Sequence, residues 1–359
     1  MRKRRATIED VAARAGLSIK TVSRVLNLEP NVRPQTRERV LAATKELEYH
    51  PNLSARRLAS KRSFIIGLLY DNPDSDYVMG IQEGVLAVCR PSDYHLLIHP
   101  CRNPAPSLVE EALSLHRRST VDGLILTQPV ADFEPLINAL IEADIPFVRL
   151  SQRPCAGDYP CISVDDEQAA CRMTDHLISL GHSNIGFIMG HPDHGSAHDR
   201  LKGFRASLHA HGIPYDRAPI EQGLYTFDSG YACAKRLLAL KPRPTAVFAS
   251  DDHMAMGVLT AAYERGLAVP TDVSVCGFDD TPMARYVWPP LTTVRQPIVE
   301  VARLATECLL NLLQGKEMNT KRYTLECKLV LRGSTGKVCG GRVEAAPVNS
   351  VAVNDLEIG

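Results

Sequence analysis

No stretch of the 359 residues comes near the ~18 to 20 unbroken apolar residues of a membrane span. Met1-Arg2-Lys3-Arg4-Arg5 leads straight into a capped helix, with no apolar signal region behind it. A cytoplasmic protein with no membrane partner is therefore expected. The ten cysteines include no Cys-x-x-Cys pair, and several (Cys89, Cys171, Cys276, Cys308) lie within apolar segments, which speaks against a disulfide framework and for buried free thiols. Gly-x-Gly-x-x-Gly, a Walker loop and Gly-x-Ser-x-Gly are all missing. That leaves dinucleotide, P-loop and nucleophile-elbow chemistry without a foothold, so no enzyme activity, catalytic residue or cofactor is expected.

Net charge is missing too: 41 Lys and Arg stand against 41 Asp and Glu. The balance is not local. Residues 1–62 hold 15 basic and 6 acidic side chains, a net of +9, and the remainder holds 26 and 35, a net of −9. A basic N-terminal segment on an acidic body is the electrostatic footprint of phosphate binding by the first part only.

That basic segment opens with a pair of short helices. Thr7 suits an N-cap with Asp10 three residues on, and Ile8, Val11, Ala12 and Ala15 follow at helical spacing. Gly16 permits a sharp bend, Leu17 fills the gap between helices, and Ser18 caps a second helix that turns Val22, Val25 and Leu26 inward. The opposite face carries Ile19, Lys20, Ser23, Arg24 and Asn27. Lys and Arg donate to guanine O6 and N7, Ser and Thr hold phosphates, and Ile19 suits a thymine methyl. A solvated face on an α-helical hairpin is the other reading of the same pattern.

The string Thr-Ile-x-Asp-Val-Ala-x-x-Ala-Gly-Leu-Ser-x-x-Thr-Val-Ser-Arg-Val-Leu-Asn over residues 7–27 resembles the DNA-binding headpiece of the LacI/GalR (lactose repressor) family. The resemblance implies base reading by Ile19, Lys20 and Arg24. It implies that Thr7, Thr21, Ser23 and Asn27 touch the DNA backbone or brace the motif, and Ser18 joins that DNA-binding set. Pro34 opens a third helix with Val40, Leu41, Thr44 and Leu47 on its inner stripe. Residues 53–60 follow, helical by propensity but too short to be stable alone. Taken by themselves they are a linker with one leucine; the resemblance makes them a hinge helix that forms on operator DNA. Leu58 is then a minor-groove wedge, with Arg56 and Arg57 beside phosphates.

From Ser63 the pattern changes to short apolar runs alternating with amphipathic stretches, as in Phe64–Leu69, Val121–Leu126, Ile185–Ile188 and Ala246–Ala249. Continuous apolar strands between helices predict parallel sheets covered on both faces, and two such series in tandem predict two α/β lobes. The fold class expected is thus a small all-α helix-turn-helix headpiece plus an α/β core of two doubly wound parallel-sheet lobes. The resemblance runs on to about residue 336 and implies a periplasmic-binding-protein-like core. It is carried by Gly181-His182-x-x-Ile185, Arg200-x-x-Gly203-Phe204, Asp252-x-Met254-Ala255-x-Gly257, Gly277-Phe278-Asp279-Asp280 and Pro290-Leu291-Thr292-Thr293-Val294-x-Gln296-Pro297. The expected organisation is a headpiece over 1–50, a hinge over 51–62 and a core over 63–336. Within the core, one lobe takes about 63–165 and 295–325 and the other 166–294 and 326–336. A tail over 337–359 is expected to be disordered.

Ligands of open α/β sheets lie beyond the carboxyl ends of the strands. Arg200, Asp251 and Asp279 fall there, a guanidinium fork and two carboxylates suited to the hydroxyls of a sugar; loop-bridging ion pairs would use the same residues. The family places effector contacts at positions matched by Ser196, Arg200, Tyr225, Asp251 and Asp279, and Asp251 departs from the asparagine frequent there. Tyr70, Tyr77, Phe278 and Trp288 are candidate stacking partners, although aromatics beside strand ends also serve the core. Asp71 and Asp76 are equally explained as caps. His191-Pro192-Asp193-His194-Gly195-Ser196-Ala197-His198-Asp199 is rich in His and Asp but has no recognised zinc spacing, and no metal is expected. The expected function is a homodimeric, sequence-specific transcriptional regulator of operator DNA, a repressor controlled by a small-molecule effector, most simply a sugar. The alternative is a sugar-binding or sugar-modifying α/β protein with no role on DNA.

Overall fold

The computed structural model describes residues 6–26, 32–49, 62–102, 107–118, 121–151, 153, 159–318, 320–339 and 342–345. The chain divides into two compact units, Met1–Ser63 and Phe64–Gly359. In the first, α1 (Ile8–Ala15), α2 (Ile19–Leu26) and α3 (Pro34–Glu46) enclose a small core of Val11, Ala12, Ala15, Val22, Val25, Val40, Ala43 and Tyr49. Thr7 and Asp10 form a reciprocal capping box, and Gly16 ends α1 at φ 62°, a left-handed conformation that glycine adopts without strain. Ser18 Oγ accepts the amide of Thr21, which caps α2. Leu17 and Leu26 pack partly buried against the core. Arg39 crosses from α3 to donate to the Ala15 carbonyl at 2.6 Å, supplying one of the acceptors left open at the end of α1. One expectation fails: Leu41 is 51% exposed. The buried line of α3 is Val40, Ala43 and Leu47, spaced i, i+3, i+7, and Leu41 lies a further 100° around the helix.

The second unit begins with β1 (Ile65–Tyr70), α4 (Ser75–Cys89), β2 (His95–Pro100), α5 (Leu108–Arg117), β3 (Gly123–Thr127), α6 (Glu134–Glu142), β4 (Phe147–Leu150) and β5 (Cys161–Val164). It continues with α7 (Asp166–Ser179), β6 (Ile185–Met189), α8 (Gly195–Ala210), β7 (Ile220–Gln222), α9 (Phe227–Leu237), β8 (Ala246–Ala249), α10 (Asp252–Glu264), β9 (Ser274–Cys276), α11 (Met283–Tyr286) and β10 (Thr293–Arg295). The chain then returns through α12 (Ile298–Leu313), β11 (Arg322–Leu325) and β12 (Lys328–Val330). Two sheets result, β11-β5-β4-β3-β1-β2 and β7-β6-β8-β9, each with parallel pairing throughout.

The first sheet is apolar on both faces. Ile66, Leu68, Ile125 and Val148 meet α4 and α12 on one side, while Leu69, Leu124, Leu126 and Phe147 meet α5 and α6 on the other. Crossing from lobe to lobe occurs between β5 and α7, around β10, and between β11 and β12, where β10 and β12 pair antiparallel. Cys89, Cys101, Cys161, Cys233, Cys276, Cys308 and Cys327 are buried free thiols, and Cys171 is a half-buried one.

The motif Arg200-x-x-Gly203-Phe204 finds its reason in packing. A Cβ at Gly203 would overlap the Glu167 carbonyl oxygen, so glycine alone allows α8 to lie this close to α7. Phe204 beside it stacks on Phe187 with centroids 4.7 Å apart. We expect Gly203→Val to force the two helices apart at a cost of about 1–3 kcal/mol, read as a lower melting temperature of the core with operator binding by the headpiece retained.

His182 is buried and joins three segments. Nδ1 lies 2.9 Å from Thr245 Oγ1 and Nε2 lies 3.1 Å from the Gly336 carbonyl oxygen. Burial pulls its pKa down to about 4. The folded core keeps the ring neutral while the unfolded chain takes the proton first. The contribution of His182 is therefore complete above its ordinary value near 6.5 and is lost as the pH falls toward 4. The stability difference between wild type and His182→Gln should shrink over that window in urea titrations; a difference independent of pH would contradict it. Measuring the difference is essential, because burial raises Asp279 to about 6, which acts in the opposite sense.

The tail departs from expectation. β13 (Gly336–Cys339) and β14 (Arg342–Ala345) pair antiparallel, and the Val338 amide donates to the Leu180 carbonyl at 2.9 Å. Lys-Val-Cys and Arg-Val-Glu flank Gly340-Gly341, a dipeptide suited to two-residue hairpins. Residues 346–359 lie outside the described set.

Candidate functional site: an inter-lobe cavity and a helix-turn-helix face

The two lobes of the second unit enclose a cavity that opens to solvent. The N-terminal lobe lines it with Asn72, Asp74, Tyr77, Gln128, Ser151 and Ser163 and an apolar wall of Ile81, Leu150, Ile162, Ile298 and Val301. The other lobe contributes Asp166, His194, Ser196, Arg200, Tyr225, Asp251 and Asp279, and Gln296 joins from the crossing segment. Strand ends supply most of these side chains, as the parallel topology requires.

Arg200 organises the floor and is 4% exposed. Nε donates to Asp166 Oδ1 at 2.7 Å, Nη1 donates to the Ser250 carbonyl, and Nη2 lies 3.8 Å from Asp279 Oδ1. The guanidinium lies over the Phe278 ring, 3.6 Å from its centroid. Burial works against its charge, yet Asp166, Tyr225 and Asp279 more than offset that, and its pKa is raised. Asp279 accepts from Gln296 Nε2. Asp251 caps α10 by accepting the Met254 amide at 2.7 Å through Oδ1, while its Oδ2 is buried without a hydrogen-bond partner among the described residues.

Burial, followed by the charge of Asp279, raises the Asp251 carboxyl well above the ordinary value. Burial also pulls His194 down to about 3, so this ring is neutral at physiological pH. The Tyr77 and Tyr225 phenols are raised by burial and stay protonated. Tyr225 and Asp279 both stand at positive φ, 59° and 110°, a strain that side chains tolerate where the surroundings impose it.

Contacts cross the cavity between lobes. The Ser196 amide donates to Gln128 Oε1 at 3.2 Å; within its own lobe, Ser196 Oγ also lies 3.3 Å from the Tyr225 hydroxyl. His253 on α10 reaches the start of α4, its ring nitrogens 3.8 Å from Asp74 and 3.7 Å from Asp76.

Six of the eight effector candidates, Tyr77, Ser196, Arg200, Tyr225, Asp251 and Asp279, line the cavity together. Tyr70 does not; it packs half-buried against the core of its lobe, because the side chain of this strand-end residue faces α4 and α12. Phe278 is fully buried beneath Arg200 and outside the lining. Trp288 is 87% exposed and lies outside the lining.

Asn72, Asp74, Gln128, Ser151, Ser163, Asp166, His194 and Gln296 were missed. Asp166 follows the end of β5, so the strand-end rule would have found it had Cys161–Val164 been recognised as a strand. Gln296 belongs to the motif over residues 290–297, which carries no sequence signal for a cavity contact. His194 belongs to the His-rich loop weighed as a metal site, and its buried ring is edge-on to Tyr225 with centroids 5.3 Å apart.

In the first unit, Ser18 and Lys20 are exposed and Ile19 is 48% exposed on the outer face of α2, with Thr21, Ser23 and Arg24 half-buried along it. Thr7 is engaged in its capping box. Asn27, Arg56, Arg57 and Leu58 lie outside the described residues.

Residues 7–52 match the bacterial regulatory proteins of the lacI family, and residues 174–335 match a periplasmic binding protein-like domain. Catabolite control protein A of Priestia megaterium is 32% identical over 332 residues, covering 92% of this chain and 99% of its own length. The chain belongs to the LacI family. Among solved structures, the lac repressor dimer bound to operator and the anti-inducer ONPF is 30% identical with a TM-score of 0.75, covering 92% of this chain and 99% of that one. A complex of the transcriptional regulator CelR with cellobiose is 31% identical with a TM-score of 0.70, covering 92% and 100%. This LacI-family chain is a DNA-binding transcriptional regulator, with a helix-turn-helix headpiece and a ligand-binding α/β core. The relatives it matches are regulators of transcription. None of the helices among the described residues is long and apolar enough to cross a membrane.

Proposed function

We propose that this LacI-family chain is a homodimeric, cytoplasmic repressor whose operator affinity is set by a polyhydroxylated small molecule, a sugar or close analogue, bound between the two lobes of its core. It performs no catalysis. The observation that carries the reading is the composition of the cavity: one buried guanidinium and several carboxylates face a ring of amides and hydroxyls against an apolar wall. Hydroxyls both donate and accept, so a polyol satisfies such a lining, whereas an apolar ligand would leave buried polar groups unpaired. CelR and the lac repressor, solved with cellobiose and with ONPF, make the same chemistry reasonable for this chain.

Ile19, Lys20 and Arg24 read bases in this proposal; Thr7, Ser18, Thr21, Ser23 and Asn27 hold phosphates or brace the motif; Arg56, Arg57 and Leu58 serve the hinge. Two headpieces in a dimer read a pseudo-palindromic site. A ligand touching both lobes favours one lobe arrangement, and a differential affinity of about 1–3 kcal/mol changes operator binding roughly 5- to 150-fold.

The test is a thermal-shift screen of sugars on the full chain, followed by operator titrations with and without the hit. A ligand that stabilises the core yet leaves operator affinity unchanged defeats the coupling, and a stable tetramer in sedimentation at micromolar concentration defeats the dimer.

A further inference from the structure

We infer that the effector of this cavity carries a protonated amine, held by Asp74, Asp251 and Asp279, and is therefore an amino sugar or an amino polyol. The inference rests on the polyol reading of the cavity and narrows it.

One carboxylate oxygen from each of these three residues lies within 4.8 Å of the other two. All three side chains are buried. The cation on the lining is already engaged: Arg200 donates to Asp166 and to the Ser250 carbonyl, and it reaches Asp279 only at 3.8 Å. Asp74 spends Oδ1 on the amides of Asp76 and Tyr77, and Asp279 takes one donor from Gln296. Asp251 Oδ2 is left buried and unpartnered.

Buried carboxylates need compensating positive charge as well as donors. A neutral hydroxyl supplies one hydrogen and no charge. An ammonium group supplies three N–H donors and a full charge to three acceptors grouped within reach of one nitrogen. The rest of the cavity, with its neutral amides, hydroxyls and apolar wall, offers nothing to a bare ion and much to a carbon skeleton.

Burial, and after it the charge of Asp279, also holds the Asp251 carboxyl protonated more readily than an ordinary one. A neutral sugar meets that protonated form, whereas an amine captures the ionised one.

The test compares matched pairs on the full-length chain by thermal shift and calorimetry: glucosamine against glucose, galactosamine against galactose, mannosamine against mannose, and glucamine against sorbitol, with magnesium and calcium chloride as separate arms. At least one amine should bind about tenfold or more tightly than its neutral partner. Asp251→Asn keeps an acceptor for the Met254 amide, so α10 remains capped, and it should erase or invert that preference; Asp74→Asn should weaken it.

A neutral member that binds as tightly as its amine, or magnesium or calcium alone giving the same stabilisation, overturns the inference and leaves the polyol cavity standing in the first case. An amine preference unchanged in both variants also overturns it. No stabilisation by any member of the four pairs defeats the polyol reading along with it.

Discussion

Arg200→Ala should lower the stability of the core by about 3–5 kcal/mol and abolish the effector response. The first effect follows from burial. Removing the guanidinium takes the buried positive charge away from Asp166 and Asp279, and a broken buried ion pair costs about that much. For a core of this size the melting temperature should fall by on the order of 10 °C. The second effect follows because the same guanidinium fixes Asp166 and Asp279 at the cavity wall. Arg200→Lys keeps a charge without the fork, so stability should recover in part and ligand binding should not. Operator titrations below the lowered melting temperature should find ligand-free affinity near wild type in both variants. An unchanged melting temperature would show that the Arg200 ion pairs add nothing to stability, and a variant that still responds fully would remove Arg200 from sensing.

The sequence presents Arg200 as a choice between sensor and strut, and in the structure it both braces its neighbours and lines the cavity. That ambiguity illustrates what a linear pattern carries. The capping box at Thr7 and Asp10, the Gly16 bend and the outward face of α2 are local, set by residues within one or two turns, and were readable as such. Apolar runs identified the central strands of both sheets because each is buried on two sides. Strands without an unbroken apolar run escaped: Ser163 interrupts Cys161–Val164, and Arg322–Leu325, which alternates polar and apolar residues, pairs with it across some 160 residues of chain. Asp166 was lost with them. Asp74 escaped for a different reason, since three aspartates crowd residues 71–76 and only the turn geometry decides which one caps α4 and faces the cavity. Tyr70 was over-read, because a strand end places a residue near the cleft without fixing on which side of the sheet its ring lies.

Replacing Arg24 by Ala should weaken binding to the preferred operator by about 1–3 kcal/mol, up to roughly 100-fold, and relax discrimination at one base pair. The argument starts from α2, whose buried side is Val22 and Val25 and whose other side carries Ile19, Lys20, Ser23 and Arg24. Because the helix is only eight residues long and braced by the Ser18 cap, its outer face has one orientation to offer a groove. Lys20 should behave like Arg24 at a neighbouring base. Arg14 is the control within the same headpiece: it makes an exposed two-point pair with Glu46, at 2.8 and 2.6 Å. Arg14→Ala should cost well under about 1 kcal/mol in stability and leave base preference untouched. Titrations of all three variants against the operator, single-base operator variants and non-specific DNA, at two salt concentrations, separate the roles: loss of base reading changes the ratio of specific to non-specific affinity, and loss of phosphate attraction changes the salt slope. If Arg24→Ala lowered both affinities by one common factor, Arg24 would be a phosphate contact and the base-reading role would fall to Lys20 and Ile19 alone.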